Sequence, residues 1–387
     1  MLNTDKLFKR FKSDQLNLPL AMKAQLQIAK MQVRTHIRAN LSEALIHEFK
    51  QKAREVNIKS PRFRTQGSWS HGTINMPAHP VQQLDIDDGC YVPVSVFEEM
   101  SDPKASSELF FRAMDAVLND LCEKKGWRFD SSNPSCVRLI IQRDAHIDVP
   151  LYATPENTYE TLEEKAVACS ANFNEAFLKE IMPSWAMLET DQVLLAIRDN
   201  GWKKSDPGPI SQWVQDAKML HGSRFINLVR YIKAWRDYQW EVGGPTSISL
   251  MVAVESCLRG INSDMKDDKA LLHVVRLLPD KFAVKKQILN PCDESEDLTE
   301  KLDRTNQRQD VVARLTILAQ GLEYALSNSP DGCNRKLIGL FGPRFPYDLS
   351  LITHDIEDEV RNTPARVAAV APMVPNTKAA CPKSKVV

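Results

Sequence analysis

Three aspartates carry the chemistry that this sequence offers. Asp85 and Asp87 stand one residue apart in Gln83-Leu84-Asp85-Ile86-Asp87-Asp88-Gly89, downstream of the turn Gln66-Gly67-Ser68. Asp148 lies in a separate apolar segment, His146-Ile147-Asp148-Val149-Pro150-Leu151. Alternate side chains of a β-strand point to one face, so Asp85 and Asp87 project together while Ile86 and Asp88 turn to the other. Two carboxylates about 4 Å apart repel by roughly 4 kcal/mol at an effective dielectric near 20, so a half-buried strand that keeps both calls for a compensating cation. Oxygen ligands suit Mg²⁺, with Mn²⁺ as a substitute, and three carboxylates gathered on a sheet can hold two such ions, which also bind the phosphates of a nucleoside triphosphate. One ion would lower the pKa of an attacking hydroxyl and the other would neutralise a leaving pyrophosphate. Asp88 and Asp144 read as structural or solvated acids.

A triphosphate also needs donors. Gly67-Ser68, after a short strand and before a helix start, fits a phosphate-cradling turn, because glycine lets backbone N–H groups approach an anion and a helix N-terminus adds partial positive charge. Alone, a Gly-Ser pair is more often a plain turn, and the acids that follow give it weight.

The elements that must position these residues are legible from periodicity. From Pro19 to about Val56, helix formers carry apolar residues at three-and-four spacing (Met22, Leu26, Ala29, Val33, Ile37), which predicts one long helix or two joined near Asn40. Short β pieces are expected at Arg62 to Gln66, Gln82 to Asp87 and Tyr91 to Val96, then a helix from about Ser106 to Lys125. Strands follow at Trp127 to Asp130, Val137 to Gln142 and His146 to Tyr152. After about Thr158 the strand signal gives way to helical patterns: Leu188 to Asp199, Gly222 to Gln239, Thr246 to Leu258, Lys269 to Leu278 and Leu298 to Ala325. In the helix from Gly222, Phe225, Leu228, Val229, Ile232 and Trp235 make an apolar stripe, and Arg230, Lys233 and Asp237 fall on another, charged face. The fold class is therefore α+β. Residues 1–180 form a mixed core with the long N-terminal helix, 181–362 a helical domain, and 363–387 a tail whose Pro, Ala, Val and Lys composition predicts flexibility.

Composition excludes several functions. Fifty basic residues balance fifty acidic ones over 387 positions, so no global positive field draws the chain onto nucleic acid or an anionic membrane. The eight cysteines are scattered without a CxxC pair or a His at zinc-ligand spacing, as in a cytoplasmic protein with free thiols. The N-terminus lacks a signal-peptide layout, and no apolar run approaches the roughly 18 residues of a membrane span.

The stretch QGSWSHGTINMPAHPVQQLDIDDGCYVP, together with HIDVPLY, resembles the polymerase-beta-type nucleotidyltransferases. Within them it is similar to the bacterial cGAS/DncV-like enzymes that make cyclic di- and trinucleotide signals in anti-phage defence. The spacer between Ser68 and Asp85 is longer than in most of that superfamily, as it also is in the cyclic GMP-AMP synthase branch. LVRYIKAWRDYQW followed by GPTSISLMVAV resembles the family segment in which a helix lysine and a following serine hold the donor triphosphate, here Lys233 and Ser247. NPCDESEDLT, around Asp293, resembles a later segment near the acceptor base. The resemblance implies a polymerase-beta-like core packed against a C-terminal helical domain, with Asp85, Asp87 and Asp148 as catalytic metal ligands. It implies nucleotide contacts at Gln66, Gly67, Ser68, His71, Lys233, Ser247, Ser205 and Asp293. The implied substrates are ATP and GTP, and the implied reaction joins them with release of pyrophosphate into a cyclic dinucleotide that a downstream effector reads. Some systems of this kind attach the synthase through its C-terminus by a ubiquitin-ligase-like partner, and the tail ending at Val387 would be accessible to one. Two other readings stand beside this one: transfer of a single nucleotide to a macromolecule or small molecule, and a catalytically silent binding module of the same fold.

Overall fold

The computed structural model describes residues 1–50, 59–97, 103–155, 159, 193–262 and 264–354. The expected tail, 363–387, lies outside them. In the first part of the chain β1 (Leu2–Asn3) and α1 (Asp5–Phe11) precede the long helix α2 (Leu20–Lys50), β2 (Arg62–Thr65), the one-turn α3 (Gly67–His71) and β3 (Leu84–Pro93). Next come α4 (Pro103–Lys125), β4 (Arg128–Asp130), β5 (Val137–Gln142), β6 (Ala145–Val149), β7 (Leu151–Thr154), β8 (Leu194–Ile197) and β9 (Gly201–Lys204). The helical part holds α5 (Pro207–His221), α6 (Ser223–Gln239), α7 (Ser247–Leu258), α8 (Asp267–Lys281), the hairpin β10 (Leu289–Asn290) and β11 (Asp293–Asp297), α9 (Glu300–Arg304), α10 (Arg308–Leu326), α11 (Pro330–Phe341) and β12 (Thr353–His354). The α+β class and its division into a sheet core and a helical region are as the sequence leads one to expect.

An eight-stranded sheet organises the first part, and β3 is its axis. β6 and β7 both lie parallel to β3 on one flank, with the register unchanged across Pro150, so they act as a single edge broken where proline cannot donate. β2 pairs antiparallel on the other flank. One face of the sheet is covered by α2 and α4: Leu26, Val33, Ile37, Leu41 and Leu45 of α2 pack with Leu109, Phe110, Met114 and Leu118 of α4 against Ile86, Cys90, Val92, Ile147 and Val149. Each such side chain contributes about 1.5–3 kcal/mol on burial. α2 is a single helix: the Asn40 side chain folds back to donate to the His36 carbonyl at 2.8 Å, so no break occurs there.

A second core belongs to the helical part, and the N-terminal segment joins it. Leu7, Phe8, Phe11 and Leu16 are buried with Phe225, Tyr231, Trp235, Leu271 and Phe341. No described helix is long and apolar enough to cross a membrane.

Two expectations need correction. The strand signal does not end near Thr158: Leu194–Ile197 is strand, and with β9 it extends the sheet from β7. Residues 188–192 of the expected helix lie outside the described ones. Tertiary pairing wins over helical spacing here because β7 presents an open edge, and Asp199-Asn200-Gly201 turns the chain back, with Asp199 (φ 61) and Gly201 (φ 79) in the left-handed region. The expected helix from Leu298 to Ala325 is two, α9 and α10, separated where Asn306 takes φ 53.

Candidate active site

β3 and β6 fix where the acids meet. Their parallel register sets Asp85 opposite His146 and Asp87 opposite Asp148, and the odd-numbered side of β3 faces away from α2 and α4. Strand alternation thus delivers Asp85, Asp87, His146 and Asp148 to one face. Asp148 is buried, and its two oxygens accept from Arg138 Nε and Nη2, each at 2.7 Å, across the β5–β6 pair. One ligand atom each from Asp85, His146 and Asp148 lie within 4.8 Å of one another.

Asp87 sits differently. Its carboxylate makes no ion pair among the described residues, and burial, followed by the charges of Asp85 and Asp148, pushes its pKa well above the usual carboxylate range. Gly67 lies against it: at φ 61, a Cβ on Gly67 would fall 2.0 Å from Asp87 Oδ2. Only glycine allows that approach. The Gln66 backbone N–H donates to the Asp87 carbonyl at 2.8 Å and tethers α3 to β3. The Gln66 side chain donates to Tyr91 OH at 3.0 Å and accepts from Tyr152 OH at 3.2 Å, below two rings stacked 4.6 Å apart. Gln66 therefore braces the floor of the site.

The opposing wall comes from α6 and α7. Lys233 is buried, donates to the Thr73 carbonyl at 2.9 Å, and has its pKa lowered to about 8, chiefly by burial and then by Arg236. The expected charged face of α6 is thus not solvated. Arg230 donates to Asn75 and Asn17, because the segment after α3 folds down onto this helix. Thr246 caps α7, its hydroxyl accepting from the Ser249 N–H at 3.2 Å, and Ser247 opens the helix while accepting from Arg236 at 3.2 Å.

Two cavities adjoin between sheet and helices. The larger, about 520 Å³, is lined by Asp85, Asp87, Gln82, Lys233, Arg236 and Trp240 among others. The smaller, about 260 Å³, is lined by Gln66, His71, Thr73, Pro207, Ser211 and Met251 among others. Gly67, Ser68, Asp87, Ser247 and Ile248 line both. His71 is buried beside Ser211, and burial lowers its pKa to about 4, so it faces the smaller cavity as a neutral ring.

Six of the eight other site candidates lie around Asp87 or in these walls; the other two stand apart. Ser205, whose N–H donates to the Val193 carbonyl, and Asp293, exposed on β11 and bound to Ser295, line neither cavity. Asp88 is no solvated acid: it turns to the α2 face and accepts from Arg34 Nε at 2.6 Å. Arg138, Arg236 and His146 were not singled out by sequence reasoning. His146 could have been, since alternation puts it on the face of Asp148. Arg138 needed the β5–β6 register.

The residues fit a divalent cation. Asp85 Oδ1 and His146 Nε2 are buried and make no hydrogen bond among the described residues, and in the same place burial and acidic neighbours hold the Asp87 pKa well above the usual carboxylate range, which a cation would relieve.

Comparisons with known proteins agree with this geometry. Residues 61–152 match the nucleotidyltransferase domain of the family described as cyclic GMP-AMP synthase DncV-like, and residues 222–354 match the cyclic GMP-AMP synthase C-terminal domain. A cyclic GMP-AMP synthase of Escherichia coli is 33% identical over 354 residues, 87% of this chain and 80% of the relative. That of Vibrio cholerae is 34% identical over 78% of this chain and 71% of its own length. Another, from E. coli strain TW11681, is 38% identical over 67% of this chain and 62% of its length. The V. cholerae di-nucleotide cyclase DncV, solved as a mutant with ATP and GTP, superposes with a TM-score of 0.75 at 27% identity, covering 92% of this chain and 99% of that one. DncV holding the linear intermediate 5′ pppA(3′,5′)pG gives a TM-score of 0.74 at 26% identity over 91% and 98%.

Proposed function

The chain belongs to the DncV-like cyclic GMP-AMP synthase family, and from that premise we propose that it is a nucleotidyltransferase joining ATP and GTP, with release of pyrophosphate, into 3′,3′-cyclic GMP-AMP. The observation that carries this reading is the pair of adjoining cavities whose shared wall is Gly67, Ser68, Asp87, Ser247 and Ile248. Two nucleotides can then lie on either side of one carboxylate.

Asp85, Asp87 and Asp148 would hold the Mg²⁺ ions, whose charge, when bound, acidifies the attacking ribose hydroxyl and balances the leaving pyrophosphate. The rest falls to the protein. Lys233 supplies a point charge to the triphosphate from α6, and the Ser247 hydroxyl and the backbone at Gly67-Ser68 supply donors from the facing wall. Arg138 grips both oxygens of Asp148, so that carboxylate keeps a single orientation toward the incoming hydroxyl. Positioning with charge neutralisation accounts for most of the rate. The linear product then reverses in the two cavities so that the second bond closes the ring.

In this reading the product is a second messenger in anti-phage defence, read by a separate effector in the cytoplasm, and the C-terminal end is the attachment point for a ubiquitin-ligase-like partner. The test is direct. Purified protein given Mg²⁺, ATP and GTP yields a phosphatase-resistant cyclic dinucleotide by mass spectrometry. A single nucleotide added to a macromolecule would overturn ring formation. No melting-temperature rise with Mg²⁺ and triphosphate would leave only the silent module.

A further inference from the structure

We infer that His146 is itself a metal ligand: its Nε2 joins Asp85 and Asp148 around one divalent cation and gives this carboxylate site a nitrogen donor. The inference rests on the metal-dependent reading above and goes beyond it in naming a fourth ligand and its consequence for metal choice.

The hydrogen-bond network fixes the imidazole. Gln83 Nε2 donates to the Arg143 carbonyl at 2.8 Å, which orients the amide and leaves Gln83 Oε1 facing His146 Nδ1 at 3.0 Å. An amide oxygen only accepts, so Nδ1 carries the N–H. The Nε2 lone pair is then directed into the acid cluster, 3.1 Å from Asp85 Oδ1 and 3.8 Å from Asp148 Oδ1. Neither contact has hydrogen-bond geometry, and Nε2 and Asp85 Oδ1, both buried atoms, find no other partner among the described residues. His146 is only 6% exposed, so water does not relieve it. A bare lone pair held against carboxylate oxygens in a buried place costs free energy unless a cation lies among them.

The spacing suits that cation. Ligands about 2.1 Å from an octahedral ion lie about 3 Å apart along each edge. The three donor atoms of Asp85, His146 and Asp148 all lie within 4.8 Å of one another, close enough for modest movement to complete the shell. The Gln83 contact is also the kind of outer hydrogen bond that orients a ligating histidine and fixes its tautomer. Imidazole favours first-row transition ions relative to Mg²⁺, so this site takes Mn²⁺ more readily than one built of carboxylates alone.

Pulsed electron paramagnetic resonance on the full chain with Mn²⁺ and inorganic tripolyphosphate tests this, because that phosphate carrier contains no nitrogen. The expected result is a ¹⁴N coupling of the directly bound kind, replaced by ¹⁵N when histidine alone is labelled and lost in His146→Ala, with Mn²⁺ bound at least about tenfold more weakly. Bound Mn²⁺ without nitrogen coupling would overturn the inference, as would a coupling that persists in His146→Ala or failure of the wild type to bind Mn²⁺. Should that variant not fold, Gln83→Leu keeps the ring but frees it, and about a tenfold loss of Mn²⁺ affinity is expected; unchanged affinity counts against the assignment. Synthesis with Mg²⁺ is measured alongside. Product without nitrogen coupling removes only this inference, and nitrogen coupling without product removes only the proposed activity.

Discussion

The two faces of β3 treat acids in opposite ways. Asp88 points toward α2, where the Arg34 guanidinium meets it with two nitrogens and Thr65 donates a hydroxyl. Asp87, one residue earlier, points to the cleft, has no ion-pair partner among the described residues and is held well above the ordinary carboxylate range by burial and by its acidic neighbours. The same backbone and the same residue type thus give a structural acid on one side and an unbalanced one on the other. Among the described residues an arginine meets Asp88 and Asp148 but none pairs with Asp87, so ionising Asp87 calls for a cation from outside them. The repulsion between neighbouring carboxylates is accordingly only part of the argument for a cation, because Arg138 already offsets one of them.

The sharpest way to break this contrast is to neutralise each acid separately. Asp87→Asn, or Asp85→Asn, is expected to abolish synthesis, a loss of at least about a thousandfold if removal of one metal ligand costs 4 kcal/mol or more of transition-state stabilisation. The metal-free fold of Asp87→Asn should melt at or above the wild type. A carboxyl whose folded pKa is raised destabilises the fold once it is ionised, so the wild type falls behind the variant as pH rises from the usual carboxylate range. Asp88→Asn should behave the other way round. It leaves Arg34 half-paired, costs about 3 kcal/mol of stability, and keeps near-normal product formation per folded molecule. Melting curves with added Mg²⁺ and product assays on the same samples decide it. If Asp88→Asn is as inactive as Asp87→Asn while folded, the distinction between the two faces is wrong.

Gly67→Ala probes the same carboxylate through its neighbour. The added methyl would lie 2.0 Å from Asp87 Oδ2 at a backbone angle of φ 61, so either α3 or the acid must shift. A displacement near 1 Å at a reacting centre costs about a hundredfold in rate. The expected signature is a fall in kcat with a smaller change in stability, of about 1–2 kcal/mol. A Gly67→Ala enzyme at full speed would mean that Asp87 needs no fixed place.

Much of this was readable in the chain, and the unread parts have a common cause. Alternation along Leu84-Asp85-Ile86-Asp87 assigns faces without a structure, and the spacing of Leu26, Val33 and Ile37 gives α2 directly. What alternation cannot give is which strand lies beside which. The convergence of Asp148 with Asp87 and the arrival of Arg138 both depend on register between β3, β6 and β5, a long-range property. β8 was missed for the same reason, although Asn200-Gly201 is a turn signal that the helical reading passed over. Lys233 was singled out, yet it was expected on a charged face apart from the buried side of its helix. Covering that face is the work of residues 72–83, which have no periodicity to announce where they pack.

Lys233 sharpens the comparison from the opposite wall with the smallest expected effect. It too is a charge taken out of water, and its pKa is lowered to about 8, with Asp85 among the groups that hold it up. A base with a depressed pKa is charged only below that value, so it grips phosphate fully near pH 7 and progressively less above pH 8. Proton linkage then predicts that the dissociation constant for a triphosphate rises about tenfold between pH 7 and pH 9. Lys233→Gln binds more weakly throughout and shows no such slope, which titration calorimetry with a non-reactive triphosphate would record. Asp85→Asn removes the acid that helps keep Lys233 protonated, so the wild-type rise should begin at lower pH in that variant. A slope unmoved by Asp85→Asn would mean that the acidic sheet and the basic helix act on the nucleotide independently of one another.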